Sequence, residues 1–465
     1  MKRFILLLAA GLVLPSLSPA QNETLPYVYV DVQFKVLVPS DESKAVFRPS
    51  QRTQANTAAD TLMNEVNRYM ENSWRGLRYR RWGDVLFVTA ADVGDSDDAD
   101  NINDIDNLFQ QPDETEDQWH ARGPVVLPAA LAPAQPAKWK FSNVACNFYI
   151  LTNWPGGVGW LNTNIIVQGG FWHNPGAHEL AHWFTLPHPF NSTERDTPLP
   201  VGSLMEWGED GFDDTLKDFH QGGHTLDSMA GADYGNDANG NPRTYASLNA
   251  LQRAAIEIKF RLHYAKQFYN VDYAALNASQ KSVIDAYRIR DRDFNDSFSS
   301  RDAPLLRDLI STGNFGSPGS PVFYDSLSTA NKKRVDDLIL NIVSYHFGKG
   351  WPEFGIFSEK QSDRMCDIIS RSTLGRDRSS TRASVVEYGK YFFFGGPTAD
   401  NSAPSGSSLR PLATAAAAVS AAGDKDVLIG RPGTYPNPGG SSFTINKPLS
   451  IRATKAGPIT LGASN

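Results

Sequence analysis

One eleven-residue segment constrains the fold of this chain more than any other. Residues 178–188 read HELAHWFTLPH, with histidines at three of the positions. Two histidines four residues apart lie on one face of a helix, so the segment predicts a helix that carries His178 and His182 together. His188 reaches the same point only if the chain turns sharply after the helix. Pro187 supports that turn, because the residue before a proline is driven out of helical geometry.

The three imidazoles are a ligand set for a catalytic zinc ion. Catalytic zinc sites use three protein ligands and keep one position for water, whereas closed structural sites more often recruit cysteine thiolates. The two cysteines, Cys146 and Cys366, are far from the motif in sequence. They form either a disulfide or two buried thiols. Glu179 follows the first ligand, so it can approach a water molecule as general base and acid without binding the ion.

The start of the motif helix is also predictable. Asn174 precedes Pro175. An asparagine side chain caps free backbone N–H groups, and proline suits the first helical position. We therefore expect the helix to begin at Asn174.

Composition and charge narrow the function classes. Lys2 and Arg3 precede an apolar run over residues 4–14, which predicts a cleaved signal peptide over residues 1–20 and a secreted protein. No later segment is long and apolar enough to predict a membrane span. The formal net charge of −7 disfavours nucleic acid as a partner. We interpret a short basic run as a solvated strand face without a function: Arg75, Arg78, Arg80 and Arg81.

Periodicity predicts an α/β (α+β) fold. Residues 28–38 alternate apolar and polar, which is typical of a strand with one buried face, and further strands are predicted at 85–88 and 147–152. An intervening helix is indicated by apolar residues at helical spacing, namely Leu62, Val66, Tyr69 and Met70. We expect a twisted mixed sheet in an upper part, residues 27–190, and a mainly helical lower part, residues 191–394.

The C-terminal stretch differs in composition. Residues 395–408 are rich in Gly, Pro and Ser and predict a linker. Short strands are predicted beyond it at VLIG, FTIN, LSIRA and PITLG. Residues 409–465 resemble the opening coils of pectin-lyase-like right-handed β-helices, although only about two repeats are present. The alternative is a small all-β accessory region or a secretion-related tail.

The motif and its surroundings resemble the metzincin zinc peptidases. Trp183 and Leu186 stand as in the pappalysin-like branch, and CNFYILTNWPGGVGWLNTNIIV resembles that branch's strand, glycine-containing edge strand and second strand. The resemblance covers roughly residues 28–393, most strongly 146–218 and 323–372. It implies a metzincin-like catalytic domain over residues 21–394, whose edge strand pairs with an extended peptide or protein substrate.

Two segments compete for the turn that metzincins place under the zinc, where a methionine is followed two residues later by a tyrosine. In NIVSYH, Val343 takes the methionine position and Tyr345 is correctly placed as a catalytic residue. In LDSMAGADYG, Met229 is retained but Gly231 stands in the tyrosine position. We favour the first segment and interpret Met229 as a buried loop residue.

Two further features bear on the site. Thr185 stands where metzincins usually have a glycine, so the turn after the helix must be strained or differently shaped. An acidic cluster resembles the family's loop after the third histidine, and it is either a calcium site or an exposed acidic turn: Glu209, Asp210, Asp213 and Asp214.

The sequence thus predicts a secreted zinc metalloendopeptidase with zinc on His178, His182 and His188 and with Glu179 as general base. One alternative is a non-catalytic extracellular binding or adhesion protein on the same scaffold, with polysaccharide contact through the C-terminal region. Another is a zinc hydrolase acting on a different bond.

Overall fold

The structure of the chain is a computed structural model. It describes residues 27–94, 105–110, 114, 118–119, 132–143, 145–152, 157–159, 164–189, 212, 214–216, 226–237, 243–293, 304–316, 320–344, 355–370, 390–399, 406–436 and 444–462. The predicted signal peptide lies outside these ranges. Within them, no helix combines the length and apolar character needed to cross a bilayer.

The upper part is a mixed sheet. The strands are β1 (Val28–Val38), β2 (Leu77–Arg81), β3 (Leu86–Thr89), β4 (Cys146–Ile150), β5 (Gly157–Gly159) and β6 (Ile165–Gln168). They run in the order β2-β1-β4-β6-β5, and β3 also pairs with β1. All pairings are parallel except that of β5 with β6. The mixed α/β architecture predicted from periodicity is therefore present.

The prediction that the first strand has one buried face is wrong. β1 lies between other strands, and nearly all of its residues are buried. Val36 belongs to the core on one face of the sheet and Leu37 to the core on the other. A parallel sheet covered on both faces buries both sets of side chains, so the polar residues Asp31 and Lys35 of β1 are buried as well.

Helix α1 (Arg52–Glu71) covers one face of this sheet. Its four predicted core residues are buried, so the helical spacing was interpreted correctly: Leu62, Val66, Tyr69 and Met70. A short helix α2 (Ala90–Val93) follows β3. Helix α3 (His173–Trp183) carries the histidine motif and packs against α1, β5 and β6.

The lower part is mainly helical, as predicted. Its helices share a second core that contains Met229, Phe260 and Val335. They are α4 (Leu226–Tyr234), α5 (Ala250–Tyr269), α6 (Ala278–Asp293), α7 (Pro304–Phe315) and α8 (Thr329–Ile339). Helix α9 (Glu359–Ser370) instead places Met365 and Cys366 in the core of the upper part.

The C-terminal region contains two parallel sheets. β7 (Tyr391–Phe394), β8 (Val427–Gly430) and β10 (Ser450–Ala453) form one, and β9 (Gly433–Tyr435) and β11 (Ile459–Leu461) form the other. A short helix α10 (Ala415–Ala421) precedes β8. Because β8 leads into β9 and β10 leads into β11, the chain makes two stacked coils, each contributing one strand to each sheet.

Several details of this region differ from the predictions. Residues 444–446 of the predicted FTIN strand are not in a strand, whereas residues 433–435, which lie between two predicted strands, form one. Gly406, in the segment predicted as a linker, accepts a hydrogen bond from the backbone of Phe393. Phe393 and Ile429 are buried in the core of the upper part. The C-terminal sheet is therefore packed against the body that carries the histidine motif.

The basic run after α1 is not a uniformly solvated face. Arg75 is fully buried and pairs with two carboxylates of α9. The other three arginines of the run lie on β2, and each pairs with an acidic side chain from another segment of the chain. Cys146 and Cys366 are both buried and unbridged, which decides between the two alternatives left open for them.

Candidate metal centre

The motif helix begins at His173, one residue earlier than predicted. Trp172 is the N-cap residue and makes no side-chain capping bond, so the prediction that Asn174 caps this helix is wrong. The carbonyl of Trp172 instead accepts hydrogen bonds from the backbone of Gly176 and from Gln168 Nε2. Pro175 lies within the first turn, where a missing N–H breaks no helical hydrogen bond.

The three histidines of the motif meet at one point. The Nε2 atoms of His178, His182 and His188 lie 3.0 Å from one another in each pair. His178 and His182 project from the same face of α3, and His188 arrives from the segment that follows the helix. Zinc–nitrogen bonds are about 2.0–2.1 Å long, so one ion can contact all three nitrogen atoms. The predicted ligand set is therefore assembled, and it is placed to bind a metal ion.

Backbone carbonyls orient two of the imidazoles. His178 Nδ1 lies 2.8 Å from the carbonyl oxygen of Ile342, and His182 Nδ1 lies 2.6 Å from that of Leu186. A carbonyl oxygen only accepts, so each Nδ1 carries the hydrogen and each Nε2 presents its lone pair to the shared point. Metal-binding histidines are fixed in this way by outer-shell acceptors.

Burial keeps these imidazoles neutral. Burial, and to a smaller extent the nearby His182, lowers the pKa of His178 to about 3 against the opposing hydrogen bond to Ile342. Burial lowers the pKa of His182 to about 4, opposed by the hydrogen bond to Leu186. Metal binding requires neutral histidine, so these two side chains need lose no proton to bind an ion near neutral pH.

The turn after the helix has the geometry that glycine favours, with threonine in place. The Leu186 amide donates to the Ala181 carbonyl and the Thr185 amide to the His182 carbonyl, which together form a Schellman C-cap. Thr185 has φ = +62°, and its buried hydroxyl has no hydrogen-bond partner within the part of the chain that the structure describes. Of the two alternatives for this position, the turn is strained rather than differently shaped.

Glu179 lies between the motif helix and the edge strand β5. A Cβ built on Gly157 would approach Glu179 Cγ to 2.6 Å, and one built on Gly159 would approach the Glu179 carbonyl oxygen to 2.6 Å. Only glycine at these two positions lets the strand come so close. Burial raises the pKa of Glu179 to about 8, against a hydrogen bond from the backbone of Gly159 that lowers it. The carboxyl is therefore enclosed and titrates near neutrality.

The segment favoured as the turn under the site contacts it directly. Ile342 supplies the carbonyl that orients His178, and Val343 is fully buried in the same core as the motif helix. Met229 lies in the separate helical core, and it belongs to helix α4 rather than to a loop. Tyr345, the predicted catalytic tyrosine, lies outside the described residues.

The acidic cluster is described only at Asp214; Glu209, Asp210 and Asp213 lie outside the described residues. Asp214 accepts hydrogen bonds from Ser358 Oγ and from the backbone of Lys360, both at 2.8 Å. Its carboxylate thus holds the N-terminus of α9, where a helix favours negative charge. A calcium ion at this loop stays a prediction.

The groups that orient the histidines were not predicted from the sequence. The carbonyls of Ile342 and Leu186 carry no side-chain signature, and two buried amides behind Ile342, those of Asn341 and Gln361, were not singled out. The only signal for them was that both lie within residues 323–372, one of the two segments where the family resemblance is strongest.

Comparisons of this chain with protein-family models, with curated proteins and with solved structures find no match.

Proposed function

We propose that this chain is a secreted zinc metalloendopeptidase that hydrolyses peptide bonds. The observation that carries the proposal is the convergence of three histidine Nε2 atoms, 3.0 Å apart, together with the buried Glu179 that directly follows the first of these histidines in the chain. Three imidazole nitrogen ligands fit zinc and leave one coordination position for chemistry. The resemblance of the motif to pappalysin-like metzincins agrees with this proposal.

Zinc bound by these histidines would supply Lewis-acid chemistry, activating a water molecule and polarising the carbonyl under attack. Glu179 is the residue that moves the proton. Its carboxylate takes a proton from the attacking water and later gives it to the departing amine. A pKa of about 8 in the absence of a metal would fall beside a cation, which brings the group into the range where it works as both base and acid.

Strand β5 is the proposed substrate-binding edge. It is last in the strand order of the sheet and lies directly over Glu179. An edge strand offers backbone N–H and C=O groups to an extended peptide, which would bring a scissile bond close to the histidines. In this proposal Tyr345 stabilises the oxyanion from the turn that begins at Asn341.

The decisive experiment compares the whole wild-type chain with Glu179→Gln. We expect one zinc per chain in both proteins, cleavage of casein by the wild type, and at least about a hundredfold loss of cleavage in the variant, since general acid–base groups contribute about 10²–10⁴-fold. Glu65→Gln, at an exposed ion pair on α1, is the matched control and should cleave normally. Tyr345→Phe should lower kcat while leaving zinc in place.

Equal cleavage by the wild type and Glu179→Gln would refute the mechanism. One zinc per chain without hydrolysis of any protein would favour the alternative proposal, an extracellular binding protein. The stacked parallel strands of residues 427–435 and 450–461 favour that alternative, because polysaccharide contact was predicted for this region. Binding of the whole chain to polysaccharide would then be the activity to measure.

A further inference from the structure

Gln361 is buried at the start of α9, where its amide joins two elements. Its side chain is fully enclosed. Gln361 Oε1 accepts hydrogen bonds from Asn341 Nδ2 at 2.9 Å and from the backbone of Ser358 at 3.0 Å. A buried amide that bridges two segments is costly to disturb, because each donor left without its acceptor keeps the full desolvation penalty.

Asn341 transmits this attachment to the turn under the histidines. Its Oδ1 accepts from the backbone of Val343 at 3.1 Å, and its carbonyl accepts from the backbone of Ser344 at 3.0 Å. The amide of Ile342 donates to the carbonyl of Ile356 at 3.0 Å. Residues 341–344 are thus held from within by Asn341 and from outside by Gln361 and Ile356.

The turn fixed in this way presents the Ile342 carbonyl to His178 Nδ1 at 2.8 Å. We infer that Gln361, acting through Asn341, is a positioning residue for the metal centre, an inference that rests on the proposed function. The hydrogen bond that Gln361 Oε1 accepts from Asn341 Nδ2 fixes the plane of the Asn341 side-chain amide. That amide holds the backbone N–H of Val343, and the same peptide plane sets the direction of the Ile342 carbonyl. That carbonyl sets the tautomer and the angle of the first ligand.

The same helix provides a control for a merely structural role. Asp367 is buried two turns later on α9 and accepts hydrogen bonds from the backbone and hydroxyl of Ser408, in the C-terminal region. A substitution at Asp367 weakens the packing of α9 without touching the turn at residues 341–344. General loosening of α9 and misdirection of His178 can therefore be told apart.

The test measures zinc affinity of the whole chain by competition with a chromogenic chelator, and the visible absorption of the cobalt(II) form, which reports coordination geometry. We expect Gln361→Met to weaken zinc binding about tenfold, the lower end of the range for outer-shell partners, and to alter the cobalt spectrum. Asp367→Asn should lower the melting temperature while leaving the zinc affinity and the cobalt spectrum unchanged.

A second variant approaches the same bond from the other side. Asn341→Ser removes the donor to Gln361, but its hydroxyl can still accept from Val343, and it should weaken zinc binding to a similar extent. The double variant should bind zinc no more weakly than the weaker single variant, because both lose one shared interaction. If Gln361→Met does not fold, Asn341→Ser alone decides the question.

The outcomes separate the two proposals. A wild type that binds neither zinc nor cobalt refutes the proposed function and this inference with it. Wild-type binding that is unchanged in Gln361→Met or Asn341→Ser refutes the positioning role and leaves the proposed function standing. Equal weakening of zinc binding by Asp367→Asn also refutes the positioning role.

Discussion

Two buried polar clusters in this molecule differ in how their members are satisfied. The histidine cluster consists of His178, His182 and His188. The arginine cluster joins Arg75 to the carboxylates of Glu359 and Asp363, and Arg431 to Asp363, with N–O distances of 2.5–2.8 Å. In the arginine cluster every contact pairs a positive with a negative group. It is complete within the chain, and it joins the segment before β2, helix α9 and the C-terminal region.

The histidine cluster is arranged differently. His178 and His182 both donate from Nδ1 to carbonyls, so their Nε2 lone pairs face each other across 3.0 Å. Two acceptors at this distance repel unless a cation lies between them. Burial of polar groups therefore does not by itself indicate function. A cluster whose charges cancel points to structure, whereas a cluster of convergent acceptors points to a bound ion.

The largest expected effect follows from removing one member of the histidine cluster. We expect His182→Ala to weaken zinc binding at least about 1,000-fold, a loss of about 4 kcal/mol, because two ligands cannot replace three. The rise in melting temperature that zinc gives the wild type should disappear with it. His173→Ala, on the same helix but outside the cluster, should keep both. Calorimetric zinc titration measures the affinity, and persistent tight binding by His182→Ala would contradict the assignment.

The arginine cluster should respond in the opposite way. Asp363→Asn leaves Arg75 and Arg431 with one carboxylate fewer in an enclosed site, and we expect a loss of about 3 kcal/mol in the free energy of unfolding. Zinc stoichiometry should stay at that of the wild type. Glu65→Gln breaks an exposed pair with Arg68 and should cost at most about 0.5 kcal/mol. Urea unfolding of the three proteins measures both effects, and loss of zinc from Asp363→Asn would show that the clusters are not independent.

Lys35 is a third case, a buried lysine with no carboxylate in hydrogen-bonding contact among the described residues. Its Nζ donates to Asn147 Oδ1 at 2.7 Å, and burial lowers its pKa to about 7 against the opposing effect of Cys146. The unfolded chain keeps the ordinary, higher pKa, so between pH 7 and pH 10 it holds a proton that the folded chain has lost. Stability should therefore rise with pH across this window, by at most about 1.4 kcal/mol per unit, and be lost as pH falls.

Lys35→Met should remove that slope, whereas Lys333→Met, at an exposed pair with Asp337, should retain it. Thermal unfolding of the three proteins at several pH values checks the sign. A slope that survives in Lys35→Met would mean that another group causes it.

The parts of the fold that sequence could predict are those set by local spacing. The interval between His178 and His182 requires one helix face, and Pro187 redirects the chain towards His188. Arg75 shows what local spacing cannot supply, because its carboxylate partners lie 284 and 288 residues further along the chain. Its burial depends on the packing of α9, which no pattern around Arg75 reports. The enclosure of Lys35 was missed for a similar reason, since alternation in β1 does not reveal how many layers cover a strand.

The sequence identifies Thr185 as unusual for its turn, and the structure shows the backbone angle that strains it. Substitution of Thr185 has the smallest of the expected effects. A β-branched residue at φ = +62° costs about 1–2 kcal/mol, and its buried hydroxyl without a hydrogen-bond partner adds to that cost. Glycine removes both penalties but loses more backbone entropy on folding, by about 0.4–1 kcal/mol. We expect Thr185→Gly to stabilise the protein by about 1 kcal/mol, as a higher melting temperature. Because the Schellman bonds are made by backbone atoms, the zinc affinity should not fall. A lower melting temperature would mean that the threonine side chain stabilises this turn by contacts that outweigh its strain.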